Sequence, residues 1–209
     1  MKLSYAILTH NETDSLLKLI EFLVKHKDEK DEIVILDDYS DNEKTKEILD
    51  TMCSIHEIKF EKRHLMKDFA QQKNYLNSLC SGRYIFNLDA DELPPKYLLD
   101  NIHIICSEND CDLYWVPRVN TVEGLTQEHI DKWRWNVNEQ GWVNFPDYQA
   151  RLYKNIDYIK WVRPVHEIVE GSKTHTYLPK EELFSIRHHK DIKTQEHQNN
   201  LYSKIIKEI

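Results

Sequence analysis

Glycine is scarce, four residues in 209, and the first polar loop, Thr9-His10-Asn11-Glu12, contains none. A glycine-rich backbone cradle for phosphate after the first strand is therefore missing, which weighs against nucleotide-sugar pyrophosphorylases. No apolar run reaches the ~18 residues of a membrane span. Met1 to Leu8 is broken at once by Thr9-His10-Asn11-Glu12, so neither a transmembrane segment nor a signal peptide is expected, and the expected location is cytoplasmic. Cys53, Cys80, Cys106 and Cys111 stand too far apart for a CxxC metal clip, and reduced, mostly buried thiols are the expectation. Positive charge is in deficit too, 28 Lys and Arg against 36 Asp and Glu, a net charge of -8 that argues against nucleic acid as a partner. Repeats and low-complexity linkers are absent, so the 209 residues read as one domain.

What is present is a regular alternation. Leu3 to Leu8 is a short apolar run, followed by Leu16, Leu17, Ile20, Leu23 and Val24 at helical spacing. Glu32-Ile33-Val34-Ile35-Leu36 reads as a parallel strand covered on both faces, stopping at Asp37-Asp38-Tyr39-Ser40-Asp41. Ile48, Leu49 and Met52 mark a helix, Ile58 and Phe60 a third strand, Asp68 a helix N-cap, and Tyr84 to Leu88 a fourth strand. After Pro94-Pro95 the spacing predicts a helix with Leu98, Leu99, Ile102 and Ile105, then a strand near Asp112 to Val119. Periodicity fades from Asn120 to Trp142, and β-like pieces return at Gln149 to Tyr153 and Tyr158 to Val162. The tail after His197 reads as helical, with Leu201, Ile205 and Ile206 on one face, packing on the core or on a second subunit. The fold class expected is α/β, a mainly parallel Rossmann-like sheet flanked by helices that binds ligands beyond its strand ends.

Asp89-Ala90-Asp91-Glu92 puts three carboxylates where a buried strand ends. Like charges repel, and such a cluster is explained by Mg²⁺ or Mn²⁺ shared with phosphate oxygens, or by a solvated acidic turn capping the helix at Lys96. Asp37-Asp38 marks a second polar strand end, suited to a base or ribose; a helix N-cap would need only Ser40 or Asp41.

Four segments in order resemble the family 2 glycosyltransferases: Ile7-Leu8-Thr9-His10-Asn11-Glu12, Val34 to Asp41, Phe69-Ala70-Gln71-Gln72-Lys73-Asn74, and Leu88-Asp89-Ala90-Asp91-Glu92. Phe145 to Tyr153 and Val165-His166-Glu167 look like the lipopolysaccharide-core glucosyltransferase subgroup. The resemblance implies a GT-A fold with a small antiparallel acceptor-side part. Its expected divisions are a nucleotide-sugar-binding half over residues 1–92, an acceptor-side half over 93–190 and a helical tail over 191–209.

The activity implied is metal-dependent inverting hexosyl transfer from a nucleotide sugar, normally a UDP-sugar, to a glycan, lipid-linked or protein acceptor. Asp38 would contact the nucleobase, with Thr9 and Glu12 lining the nucleotide pocket. Lys73 stands where the family often has Arg, keeping the charge without the planar fork. Asp89 would touch ribose or sugar, Asp91 would be the principal ligand of Mn²⁺ or Mg²⁺, and His188 or His189 a second ligand. Inverting transfer needs a base facing the acceptor hydroxyl, the role implied for Glu167; His166 either orients the site or packs beside Trp161. Arg151 and Arg163 either offset donor charge or pair with nearby acids, and one of Trp133, Trp135 and Trp142 is expected to serve as a stacking platform or lid.

Two other classes compete. A metal hydrolase would be built on His166, Glu167, His188 and His189, although His166-Glu167-Ile168-Val169-Glu170 lacks the second His of HExxH. A non-catalytic nucleotide- or glycan-binding module would have no need of Glu167.

Overall fold

The computed structural model describes residues 1–208. Its first half alternates strand and helix: β1 (Leu3–Thr9), α1 (Asp14–His26), β2 (Glu32–Asp37), α2 (Glu43–Ile55), β3 (Lys59–Lys62), α3 (Phe69–Leu79) and β4 (Tyr84–Asp89). These strands pair in parallel in the order β3-β2-β1-β4. Strands β1, β2 and β4 are buried on both sides, which is why they read as near-continuous apolar runs, whereas β3 is a partly exposed edge strand. Tyr5, Ile7, Ile33, Ile35, Tyr84 and Phe86 face one layer with Leu16, Leu19, Ile20 and Leu23 of α1. The alternate residues Ala6, Val34, Leu36 and Ile85 face the other, with Ala70 and Leu76 of α3. Strands β2 and β4 lie on opposite sides of β1, so a crevice opens beyond their carboxyl ends at the switch point.

The second half runs β5 (Glu92–Leu93), α4 (Lys96–Asn109), β6 (Leu113–Glu123), α5 (Gln127–Trp133), β7 (Val143–Lys154), β8 (Lys160–Val162), β9 (Ile168–Glu170), β10 (His175–Tyr177), a 3-10 turn (Glu182–Phe184), β11 (Ile186–Asp191) and α6 (Ile192–Glu208). Beside β4 the sheet turns antiparallel through β7, then continues β6-β11-β5. Strand β11 runs parallel to β6 and antiparallel to β5, setting His188 opposite Glu92. Strands β8 and β9 form a separate antiparallel hairpin.

Strands β6 and β7 extend well beyond the pieces read from sequence. The unread ends carry Asn120 and Asp147, polar side chains bonded to each other and to Arg118 and Gln149, so apolar alternation gives no signal there. Helix α5 occupies the stretch that shows no periodicity. It has no buried residue and is started by a capping box between Thr126 and His129. The cap of α2 is Asn42, accepting from Lys44 and Thr45 amides, rather than Ser40 or Asp41. Asp68 caps α3 as its sequence position suggests. Helix α6 begins at Ile192, earlier than the expected start after His197. Among the described residues no helix is long and apolar enough to cross a membrane.

Candidate active site

Thr9, Asp37 and Asp89 end the adjacent strands β1, β2 and β4, so their loops converge on the crevice. The β2 loop separates its two aspartates by role. Asp37 is fully buried, and its carboxylate accepts from the Ser40 amide and hydroxyl, fixing the turn. Asp38 points outward, with one oxygen accepting from the Leu65 amide at 2.8 Å. It lines a cavity of about 420 Å³ with His64, Leu65, Met66, Leu201, Lys204 and Ile205, and the His64 ring stacks on Tyr39 at 3.9 Å. An acid beside flat rings and apolar walls suits a heterocyclic base. Glu12 accepts from the Thr9 hydroxyl and the His10 amide, and burial raises its pKa despite these bonds.

The acidic motif is not a solvated helix cap. Glu92 is 1% exposed and takes the Asp89 amide on one oxygen and two guanidinium groups, Arg118 and Arg151, on the other. Arg151 also grips Asp89, and Arg118 reaches Asp147. Of the two readings of Arg151, the ion pair with nearby acids is the one found. Its Nε is buried without a hydrogen-bond partner among the described residues, one uncompensated atom in a network that is otherwise paired. Burial pushes the Asp89 carboxyl up, but the charges of Arg151 and Lys73 outweigh it and hold the group well below the usual carboxylate range. Arg163, by contrast, lies exposed in the β8–β9 turn at φ +74°.

Asp91 is free of this clamp and faces His188 instead. Its Oδ2 lies 3.3 Å from His188 Nε2 and 3.6 Å from Lys190 Nζ. Burial raises its pKa, and the hydrogen bond and charge of His188 more than reverse the effect. The other ring nitrogen of His188 is committed. Asn120 donates its amide N–H to Asp147, which turns its carbonyl oxygen to His188 Nδ1 at 2.7 Å, so Nδ1 carries the proton. Nε2 then faces the Asp91 carboxylate at 3.3 Å, so a proton or a metal cation must lie between them. No group of three or more His, Cys, Asp or Glu gathers at one point among the described residues. Asp91 and His188 fit a two-ligand site of the kind Mg²⁺ or Mn²⁺ completes with phosphate oxygens. His189 faces away, to Thr121 and Glu123.

Glu167 sits in the turn between β8 and β9 and is bonded to Lys73 Nζ at 2.5 Å, both largely buried. Lys73 also lies 4.3 Å above the Trp161 ring and close enough to Asp89 to lower its pKa. His166 does not pack on Trp161; its ring meets Tyr202 edge-on at 5.5 Å. The set His166, Glu167, His188 and His189 therefore forms no common metal cluster. Of the three tryptophans, Trp135 lines a second cavity of about 200 Å³ with Arg118, Asn120, Asp147, His188 and Lys190, while Trp133 packs on Trp135 and Trp142 on Phe145. Sequence reading passed over Arg118, Asn120 and Lys190. Their only signal is polarity at alternate positions on β6 and β11.

A profile described as "Glycosyl transferase family 2" matches residues 4–166. No curated protein matches the chain. Among solved structures, S. aureus TarS 1-349 superposes with a TM-score of 0.65 at 15% identity, over 98% of this chain and 64% of that one. Its complex with UDP-GlcNAc gives 0.64 at 14%, over 90% and 58%, and its complex with UDP gives 0.64 at 15%, over 90% and 60%. The chain thus spans under two thirds of TarS 1-349 and shares its fold, the GT-A arrangement of a mostly parallel sheet flanked by helices with a small antiparallel part.

Proposed function

Because the chain belongs to glycosyl transferase family 2, we propose that it is a metal-dependent inverting glycosyltransferase that moves a hexosyl group from a UDP-sugar to an acceptor hydroxyl. The observation that carries this reading is the pairing of Asp91 with His188 Nε2, 3.3 Å apart, in a fold whose Asp38 lines a cavity of about 420 Å³. TarS, of the same fold, has been solved with UDP and with UDP-GlcNAc, which supports uridine as the base. Residues 1–209 act in this reading as one catalytic domain, and Phe145 to Tyr153 with Val165-His166-Glu167 favour the lipopolysaccharide-core subgroup.

Asp38 holds the base, with Thr9 and Glu12 beneath the nucleoside. Asp91 and His188 hold Mn²⁺ or Mg²⁺, whose charge offsets that of the leaving diphosphate. Asp89, locked by Arg151, is presented to ribose or sugar in a single rotamer. Glu167 removes the proton of the attacking hydroxyl, and its bond to the Lys73 ammonium aims it until then. Trp135 offers the acceptor ring a flat apolar face among hydrogen-bonding groups. All four cysteines are unpaired, in keeping with a cytoplasmic setting.

A thermal-shift panel of UDP, GDP, CDP and TDP with Mn²⁺ tests the reading. A ligand at ~100 times its Kd adds about 2.7 kcal/mol, or roughly 5 to 10 °C for a domain of this size. UDP should give that shift, and a panel with no shift in any arm would remove the basis of the proposal.

A further inference from the structure

Helix α6 reaches both cavities and the turn that carries Glu167. Gln195 lines the Trp135 cavity, Gln198 meets Lys190, Tyr202 meets His166 and Phe69, and Ile205 lines the Asp38 cavity. These four residues are spaced three, four and three apart, one stripe on one helix face. At 1.5 Å per residue, Gln195 and Leu201 lie about 9 Å apart along the axis, so the helix bridges the two cavities with Tyr202 beside the second.

The hydrogen bonds fix where the Tyr202 proton points. Lys190 has only donors, so Gln198 must turn its carbonyl oxygen to Nζ, at 2.6 Å. Its amide nitrogen then donates to Tyr202 Oη at 2.9 Å. The phenol oxygen is thereby an acceptor toward Gln198, and its own proton has no acceptor among the described residues. Burial, with Asp89 and Glu167 nearby, pushes the phenol pKa up to about 12, so the proton is retained at neutral pH. A neutral O–H donor, polarised through an amide by a lysine cation that itself lies 3.6 Å from Asp91, stands against His166, the neighbour of Glu167.

We infer that Tyr202 is a donor-binding residue, delivering a hydrogen bond from α6 to a phosphate oxygen of the bound nucleoside diphosphate, with the helix forming the wall of the cleft opposite the strand ends. The inference rests on the nucleotide-sugar reading above. It gives the phosphate a neutral donor in a place where a further cation would pair with Asp89 or Asp91 instead.

The test is calorimetric titration of the 209-residue chain with UDP and, separately, with uridine, in Mn²⁺. Tyr202→Phe keeps the ring against His166 and Phe69 and removes only the hydroxyl. It should weaken UDP about ten- to hundredfold, the range for a hydrogen bond to a charged group, and leave uridine unchanged. Gln198→Met, which releases the phenol from its orienting amide, should weaken UDP in the same direction by a smaller factor. Unchanged or tighter UDP binding in Tyr202→Phe overturns the contact, and so does an equal loss for uridine, which would mean that the helix has shifted. If wild-type protein binds no UDP, the donor reading itself falls and takes this inference with it.

Discussion

Replacing Arg151 by Met removes the cation that ties the acidic motif to β7. Arg151 is 3% exposed and its Nη2 is shared between Asp89 and Glu92, while Asn87 accepts from Nη1. In its absence Glu92 keeps Arg118, but Arg118 already serves Asp147, and Asp89 keeps no guanidinium. Two guanidinium groups now face three carboxylates; afterwards one would. Breaking a buried pair from one side costs about 3 to 5 kcal/mol, because the partner stays charged in a poor solvent. For a chain of this length that is a fall in Tm of roughly 6 to 20 °C. Differential scanning calorimetry at neutral pH reads it directly. Neutralising Glu92 in the same chain should restore part of the loss, since Glu92→Gln removes one of the two carboxylate charges that Arg151→Met leaves sharing Arg118. A single variant that costs less than about 1 kcal/mol, the worth of an exposed ion pair, or a double variant whose loss is the plain sum, would refute the clamp.

Glu167→Gln should lower kcat by about 10² to 10⁴, the contribution of a positioned general base, with the UDP Kd held within threefold; a near-normal rate removes Glu167 from that role. Asn120→Ala frees His188 to adopt the other tautomer and should weaken Mn²⁺-dependent UDP binding about 10- to 100-fold, the usual effect of a lost orienting partner; an unchanged Mn²⁺ titration would show that the Asp147–Asn120 link does nothing for the metal. Glu32 is held at about 2, below its ordinary 4.5: burial raises its pKa, and bonds from Lys2, Ser4 and Ser81 overcome that. A depressed carboxyl stabilises the fold above its unfolded pKa and loses that effect as pH falls toward the folded one. Wild type should therefore lose stability in urea between about pH 4.5 and 2 more steeply than Glu32→Gln, and parallel curves would contradict the bonding.

The nucleotide-side half of the fold was legible because β1, β2 and β4 are buried on both faces and each ends on a cluster of polar residues that burial alone would exclude. Asp91 and His188 were each visible as residue types, but their meeting depends on β11 pairing with β5, a contact no local pattern encodes. Asp37 and Asp38 look equivalent in sequence. Only the turn shows that one is spent on Ser40 and the other faces the cavity. Arg118, Asn120 and Asp147 were hidden because a strand whose outward residues bond to one another loses its apolar rhythm. Tyr202 was hidden for the opposite reason: beside Leu201 and Ile205 it passes for part of an apolar packing face.

The most direct measurement is calorimetric titration of UDP into wild type and Asp91→Asn, each with Mn²⁺ and with EDTA. Asp91 and His188 as the metal-holding pair require that wild type bind UDP at least tenfold more tightly with Mn²⁺, a difference of about 1.4 kcal/mol, and that Asp91→Asn show no such gain. A variant that keeps the full Mn²⁺ enhancement, or a wild type that binds UDP equally in EDTA, would contradict the assignment of the site.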